Sequence, residues 1–293
     1  MKILILGSNG MLGHVAYNFF IKQGYDVYAT TRDVSDKYYF DANQNISSIN
    51  NIIEEIRPDV VINCIGILNK VAEDNKKLAV MVNSYLPHYL DELSKDYNFK
   101  FIHVSTDCVF DGKKGSYGED DQKDATSFYG QSKALGEINN DRNLTLRTSI
   151  IGPDINSNGI GLFQWFMNQN GEVGGYTKVI WTGVTTIQLA KAMEEAITNN
   201  ITGLYHVVND EKIDKYSLLE LFKKYFNKDI IINKNDSYES NKSLIKTRED
   251  YQFNVPSYEQ MIQEMRDWVL ENEHLYTELL EKTNQTKTGG MIK

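Results

Sequence analysis

The chain begins "MKILILGSNGMLGHVAYNFF", a short apolar run that meets glycines at positions 7, 10 and 13 and passes directly into an amphipathic stretch. Nothing else in the sequence constrains the fold as strongly. In G-x-x-G-x-x-G between a strand and a helix, the first glycine allows the tight turn, the second leaves the backbone open to a ligand, and the third lets the helix pack closely on the strand. Such a turn aims backbone N–H groups and the positive end of a helix at one point, which suits a pyrophosphate. A glycine triplet alone is weak evidence; placed right after a strand and right before a helix, it predicts dinucleotide binding through Gly7, Gly10 and Gly13.

The rest of the first half repeats the strand and helix alternation. "KILILG", "YDVYATT", "DVVINCIG", "KFIHVST" and "LTLRTSII" read as strands, and 11–23, 46–56, 71–95 and 127–140 as helices. The strands are continuously apolar, not alternating, which predicts a parallel sheet covered on both faces: a doubly wound α/β fold. A helix over 185–198 and the run "GLYHVVN" extend the same sheet, so residues 1–152 and 182–209 are expected to form the dinucleotide-binding domain. The more polar segments 153–181 and 210–282 are expected to build a smaller lobe, and 283–293 a disordered tail.

A net charge of −9 with no basic stripe argues against nucleic acid and anionic lipid as partners. No run approaches the roughly 18 apolar residues of a membrane span, and the opening apolar run is too short for a signal peptide, so a cytoplasmic protein is expected. Cys64 and Cys108 each close a strand-like run, the usual place of a buried thiol, and with the five histidines they show no metal-ligand spacing.

The end of the second strand tells NAD from NADP. An acid there would hold the ribose 2′-hydroxyl; "YATTRD" instead supplies Thr31 and then Arg32, which can pair with a 2′-phosphate. NADPH is therefore the expected cofactor, with NADH the alternative. Further on, "SFYGQSK" sets Tyr129 four residues before Lys133, one face of a helix. The spacing is not decisive, since Tyr238 and Lys242 repeat it in "DSYESNK".

Order is what distinguishes the first pair. The glycine turn, "VINCIG" (61–66), "STDCVFDG" (105–112), "YGQSK" (129–133) and "LRTSIIG" (146–152) follow one another as in the extended short-chain dehydrogenase/reductases. Over about residues 1–270 the chain resembles most closely the dTDP-4-dehydrorhamnose reductase group of nucleotide-sugar reductases. The resemblance implies a Rossmann fold with a smaller, discontinuous C-terminal substrate-binding lobe and a nucleotide-sugar substrate. It also implies a catalytic set of Thr106, Tyr129 and Lys133, in which Tyr129 protonates the oxygen of a 4-keto sugar, Thr106 hydrogen-bonds the same oxygen, and Lys133 lowers the phenol pKa. Cofactor contacts are implied at Asn9, Met11 and Leu12 of the turn, at Asp41 and Ala42 near the adenine, and at Cys64, Ile65 and Gly66 under the ribose, with Asn83 supporting Lys133.

Two stretches depart from the pattern. The usual alanine-rich run is Asn63-Cys64-Ile65-Gly66, and a late proline-threonine signature is "WTGVTT" (181–186). Both belong to the sugar side, where Asn69, Asp107 and Trp181 are the candidates. Asp107 either binds a sugar hydroxyl or serves its own turn; Trp181 either lines the pocket or fills the core. His14 and Val15 stand where some relatives carry a Glu that helps a metal join two subunits, so no metal is expected, and monomer and homodimer stay open. A nucleotide-sugar epimerase or dehydratase, or a non-catalytic dinucleotide-binding regulatory subunit, are the competing functions on this fold.

Overall fold

The computed structural model describes residues 1–281; the tail expected at 283–293 lies outside the described residues. The strands are β1 (Lys2–Leu6), β2 (Asp26–Thr30), β3 (Val60–Asn63), β4 (Lys100–Thr106), β5 (Leu144–Thr148), β6 (Ile150–Ile151), β7 (Glu172–Trp181), β8 (Val184–Thr185), β9 (Gly203–His206), β10 (Ile213–Asp214) and β11 (Ile231–Asn241). The helices are α1 (Gly13–Lys22), α2 (Ser48–Ile56), α3 (Asn69–Asp74), α4 (Lys76–Ala79), α5 (Leu86–Asp96), α6 (Phe128–Leu135), α7 (Leu162–Met167), α8 (Thr186–Thr198), α9 (Lys215–Tyr225), α10 (Tyr258–Glu271) and α11 (Thr277–Glu281).

Six strands form one parallel sheet in the order β2-β1-β3-β4-β5-β9. The expected doubly wound fold is the one observed, and β1 shows why both faces are apolar. Ile3 and Ile5 enter one core with Val15 and Phe19 of α1 and Leu189 of α8, whereas Leu4 and Leu6 enter a second core with Ile49 and Ile53 of α2 and Leu86 and Leu90 of α5. The chain steps from β1 outward to β2 and returns on the other side to β3. That reversal opens a crevice at the carboxyl ends of β1 and β3, where sheets of this kind receive ligands.

Segments 153–181 and 210–282 both contribute to a three-stranded sheet, β10-β7-β11, in which β10 runs antiparallel and β11 parallel to β7. The apolar core does not stop at this sheet. Leu218 and Phe222 of α9 and Met261 and Met265 of α10 belong to the same cluster as Ile3 and Ile5.

Three expected elements are interrupted. The helix expected over 71–95 breaks at Asn75, whose backbone is not helical and whose side chain accepts a hydrogen bond from Leu78 N at 3.1 Å. It then passes through a π-helical stretch, Val80–Tyr85, before α5. The helix expected over 127–140 stops at Gly136, where a methyl group would lie 1.9 Å from the Asn83 carbonyl oxygen. "LTLRTSII" divides at Ser149: β5 stays in the large sheet, and β6 pairs with β8.

Arg147 on β5 is buried and makes a two-pronged pair with Glu137, Nε to Oε1 at 2.8 Å and Nη2 to Oε2 at 2.7 Å, while Nη1 donates to the Glu119 carbonyl at 3.2 Å. Removing one member of such a pair leaves the other charge stranded. Arg147→Met is expected to lower unfolding free energy by about 3 kcal/mol, measured by urea denaturation, while Lys22→Met, which breaks only the exposed Lys22–Glu271 pair, changes it by less than about 0.5 kcal/mol.

Candidate active site

The glycine turn is built by contacts that leave no space for a side chain. Gly7 has φ +82°, and a methyl group on it would lie 2.8 Å from the Ile65 side chain. On Gly13 a methyl would lie 2.1 Å from the Gly7 carbonyl oxygen, so α1 meets β1 at a distance only glycine permits. The turn is tied to β2 by hydrogen bonds from Gly7 N and Ser8 N to the Thr30 carbonyl at 3.2 and 3.1 Å. Among the described residues, a methyl on Gly10 would approach nothing closer than 3.4 Å, and no side chain caps the start of α1. An open glycine before an uncapped helix end is the arrangement a pyrophosphate requires, so these residues fit the expected dinucleotide.

Asn9 and Gly10 are exposed at the tip of the turn. Leu12 turns its side chain into the core, so of the contact expected there only the backbone can face a ligand. Residues 31–42 fold along the end of β2: Thr31 bridges to Tyr39, its hydroxyl donates to Asp36, and Phe40 N donates to the Thr31 carbonyl at 2.8 Å. This sets Thr31, exposed Arg32 and half-buried Asp41 together, with Ala42 beneath them in the core. The Asp41 carboxylate accepts from Asn43 N at 2.9 Å and so serves its own turn.

Thr106 ends β4. Its hydroxyl oxygen accepts from Cys108 N at 3.2 Å, capping the following 3-10 turn, and the hydroxyl donates to the Asp107 carboxylate at 3.2 Å. Helix α6 is capped by Ser127, which accepts from Gly130 N at 3.1 Å, and it is wedged between two backbones. A methyl on Gly130 would lie 2.1 Å from the Cys108 carbonyl oxygen, and Gly136 meets Asn83 as described above. This wedge sets Tyr129 against Thr106. Burial pushes the Tyr129 phenol above its ordinary pKa, with the nearby Cys108 acting in the same direction and a hydrogen bond from Thr106 opposing.

Lys133 departs from expectation. Its Nζ donates to the Val104 carbonyl at 2.7 Å and lies 3.3 Å from Nε2 of buried His103, so these hydrogen bonds tie the ammonium to β4. Burial lowers the Lys133 pKa to about 8. Burial is the largest influence on both groups, and it favours the neutral form of each. Asn83, fully buried in the π-helical stretch, accepts from Ile67 N and donates to the Ile67 carbonyl, both at 2.8 Å, and donates to Ser132 Oγ at 3.0 Å. It joins the loop after β3, with Cys64, Ile65 and exposed Gly66, to the helix carrying Tyr129 and Lys133.

Two residues absent from the sequence expectations enter here. Asp107 is buried, which raises its pKa, while Lys242 and Lys215 oppose that rise. Lys215 is the first residue of α9, with Nζ 4.8 Å from the centre of the Trp181 ring, and burial lowers its pKa to about 8. Lys242 follows β11 and packs on Gly112 of the "STDCVFDG" loop. It is the lysine of the repeated tyrosine and lysine spacing, which in sequence carried no sign of this neighbourhood. Trp181 is 2% exposed, belongs to the large apolar core, and leaves its indole N–H buried without a hydrogen-bond partner among the described residues. Asn69 opens α3 at φ +41°, exposed, and hydrogen-bonds to none of these groups among the described residues.

A glycine-rich turn at the switch point of a parallel sheet, with a buried tyrosine and threonine at the ends of neighbouring elements, accords with a dinucleotide-dependent reductase of the short-chain type. The chain belongs to the RmlD substrate binding domain family, whose model matches residues 1–266. It is 29% identical to a probable low-salt glycan biosynthesis reductase of Haloferax volcanii over 231 residues, 73% of this chain and 76% of that protein. It is also 24% identical to methionine adenosyltransferase 2 subunit beta of Xenopus laevis, covering 74% and 70% of the two chains. The fold matches dTDP-4-dehydrorhamnose reductase of Bacillus anthracis in complex with NADP, with a TM-score of 0.78 and 21% identity over 90% of this chain and 98% of that one.

Burial raises the thiol pKa of Cys108 to about 11 and of Cys64 to about 12. At pH 8 a thiol of pKa near 11 is ionised in only about one molecule in a thousand. Both cysteines are therefore expected to resist iodoacetamide at pH 8, with Cys108 reacting measurably faster at pH 10, as followed by mass spectrometry of the intact protein.

Proposed function

We propose that this protein reduces a nucleotide-activated 4-keto-6-deoxy sugar with NADPH, in the synthesis of a cell-surface polysaccharide. The observation that carries the reading is Tyr129, protonated and held against Thr106 by the Gly130 contact, on a helix that Asn83 ties to the loop beside the glycine turn. NADPH, when bound, supplies the hydride. Tyr129 donates its proton to the oxygen that develops negative charge at C4, and the Thr106 hydroxyl stabilises that oxygen. Gly7, Gly10 and Gly13 with Met11 would hold the pyrophosphate, Arg32 with Thr31 the 2′-phosphate, and Lys133 the nicotinamide ribose.

Segments 153–181 and 210–282 are read as the substrate-binding lobe, because α9 and the end of β11 deliver Lys215 and Lys242 to Asp107. In a chain of net charge −9, two lysines beside the reacting end supply a local positive field for the substrate diphosphate. Asp107, Trp181 and Asn69 are the remaining contacts proposed for the sugar. A cytoplasmic setting accords with two free cysteines and with the absence, among the described residues, of any helix long and apolar enough to cross a membrane.

The likeness to a methionine adenosyltransferase subunit beta favours a second reading, a dinucleotide-binding regulatory subunit. Oxidation of NADPH in a one-to-one ratio with a nucleotide-linked 4-keto-6-deoxy sugar, followed at 340 nm, separates the readings. An epimerase regenerates its cofactor, and a regulatory subunit turns nothing over. Tyr129→Phe is expected to lower kcat by about a hundredfold or more with the NADPH Kd unchanged; near-normal turnover removes the mechanism. Lys215→Ala or Lys242→Ala is expected to raise KM for the nucleotide sugar about tenfold and to leave the NADPH Kd as it was.

A further inference from the structure

The family match ends at residue 266, yet the chain beyond it folds back onto the glycine-rich turn. Tyr276, 2% exposed, stands just before α11, and its hydroxyl lies between two buried rings. It accepts from Trp268 Nε1 at 3.0 Å and sits 2.7 Å from His14 Nε2. The other ring nitrogen of His14, Nδ1, is 2.9 Å from the Gly10 carbonyl oxygen.

These contacts settle the proton positions. A carbonyl only accepts, so His14 Nδ1 carries the ring proton; Nε2 of the neutral ring then accepts, and it takes the Tyr276 hydroxyl proton. Trp268 donates to Tyr276, Tyr276 to His14 and His14 to Gly10, with every donor matched. Burial of His14 lowers its pKa and preserves the neutral ring, against a raising influence from the Gly10 hydrogen bond and from Asp154, which also acts on Tyr276.

The segment from Trp268 to Tyr276 matters for what it does to one peptide. The Gly10 carbonyl also accepts from His14 N at 3.1 Å, and Gly10 N donates to the Gly7 carbonyl at 3.1 Å, so the glycine is held on both sides. In a planar trans peptide the C=O of one residue and the N–H of the next point in opposite directions. Holding the Gly10 carbonyl toward the His14 ring therefore points the Met11 N–H away from it, out of the turn, where a pyrophosphate would lie.

We propose that the segment from Trp268 to Tyr276 is a clasp on the cofactor site, and that His14 is a positioning residue that orients the Met11 N–H through the Gly10 carbonyl. The inference rests on dinucleotide binding and is independent of the identity of the sugar. Because coupling between two sites is reciprocal, a clasp that tightens cofactor binding must itself be tightened by the cofactor.

The test uses the full chain and needs no turnover. NADPH affinity is measured by calorimetry for the native protein, for Tyr276→Phe, which deletes one hydroxyl, and for Leu279→Ala, which opens the same core without touching the hydrogen-bond chain. Tyr276→Phe is expected to weaken NADPH about tenfold, while Leu279→Ala stays within about twofold although it lowers Tm. Hydrogen exchange of the native protein should slow over 268–281 when NADPH is saturating, and Tyr276→Phe should lose that protection. An unchanged Kd in Tyr276→Phe, an equal loss in Leu279→Ala, or no protection of 268–281 in the native protein overturns the clasp. Failure of the native protein to bind either NADPH or NADH overturns the dinucleotide reading beneath it.

Discussion

The site depends on backbones that meet more closely than any side chain allows. Gly13 against the Gly7 carbonyl brings α1 onto β1, and Gly130 against Cys108 with Gly136 against Asn83 brings α6 onto the ends of β4 and the π-helical stretch. The first approach makes the glycine-rich turn; the second places Tyr129 at Thr106. Packed interiors do not yield by the ångström that a methyl group would demand, so the distance from the turn to the phenol is set by these glycines. Asn83 joins the two assemblies through Ile67 on one side and Ser132 on the other.

Burial then shifts the protonation equilibria of what has been assembled. It pushes Tyr129 up and Lys133 down, and both shifts favour the uncharged group. Lys133 bonds to Val104 and His103, while Lys215 and Lys242 act on Asp107 from the other side. Tyr129 and the two lysines around Asp107 thus arrive on different parts of the chain: Tyr129 on α6 beside the large sheet, the lysines on α9 and at the end of β11.

Legibility followed the range of the interaction. The parallel sheet could be read because each apolar strand reports its own burial on both faces, and β1 divides its residues between two cores as that pattern requires. The glycine spacing and the tyrosine and lysine spacing were equally local signals. The break at Asn75 and the stop at Gly136 were not visible, since the first depends on one side chain capping a new turn and the second on a carbonyl 53 residues earlier in the chain. Lys242 shared a spacing with Lys133 and nothing more; only the path of β11 beside β7 carries it to Asp107.

The sequence by itself determined the order of strands and helices, the place of the glycine-rich turn and the neighbours of Tyr129 along α6, because hydrophobic period, glycine and helical spacing act within a few residues. The tertiary structure alone decided where Lys133 points, which lysines approach Asp107, and that Trp268 and Tyr276 reach His14 across the fold. Those outcomes turn on burial and on partners from distant segments. Both are properties of the closed chain, and neither has a local pattern from which to be read.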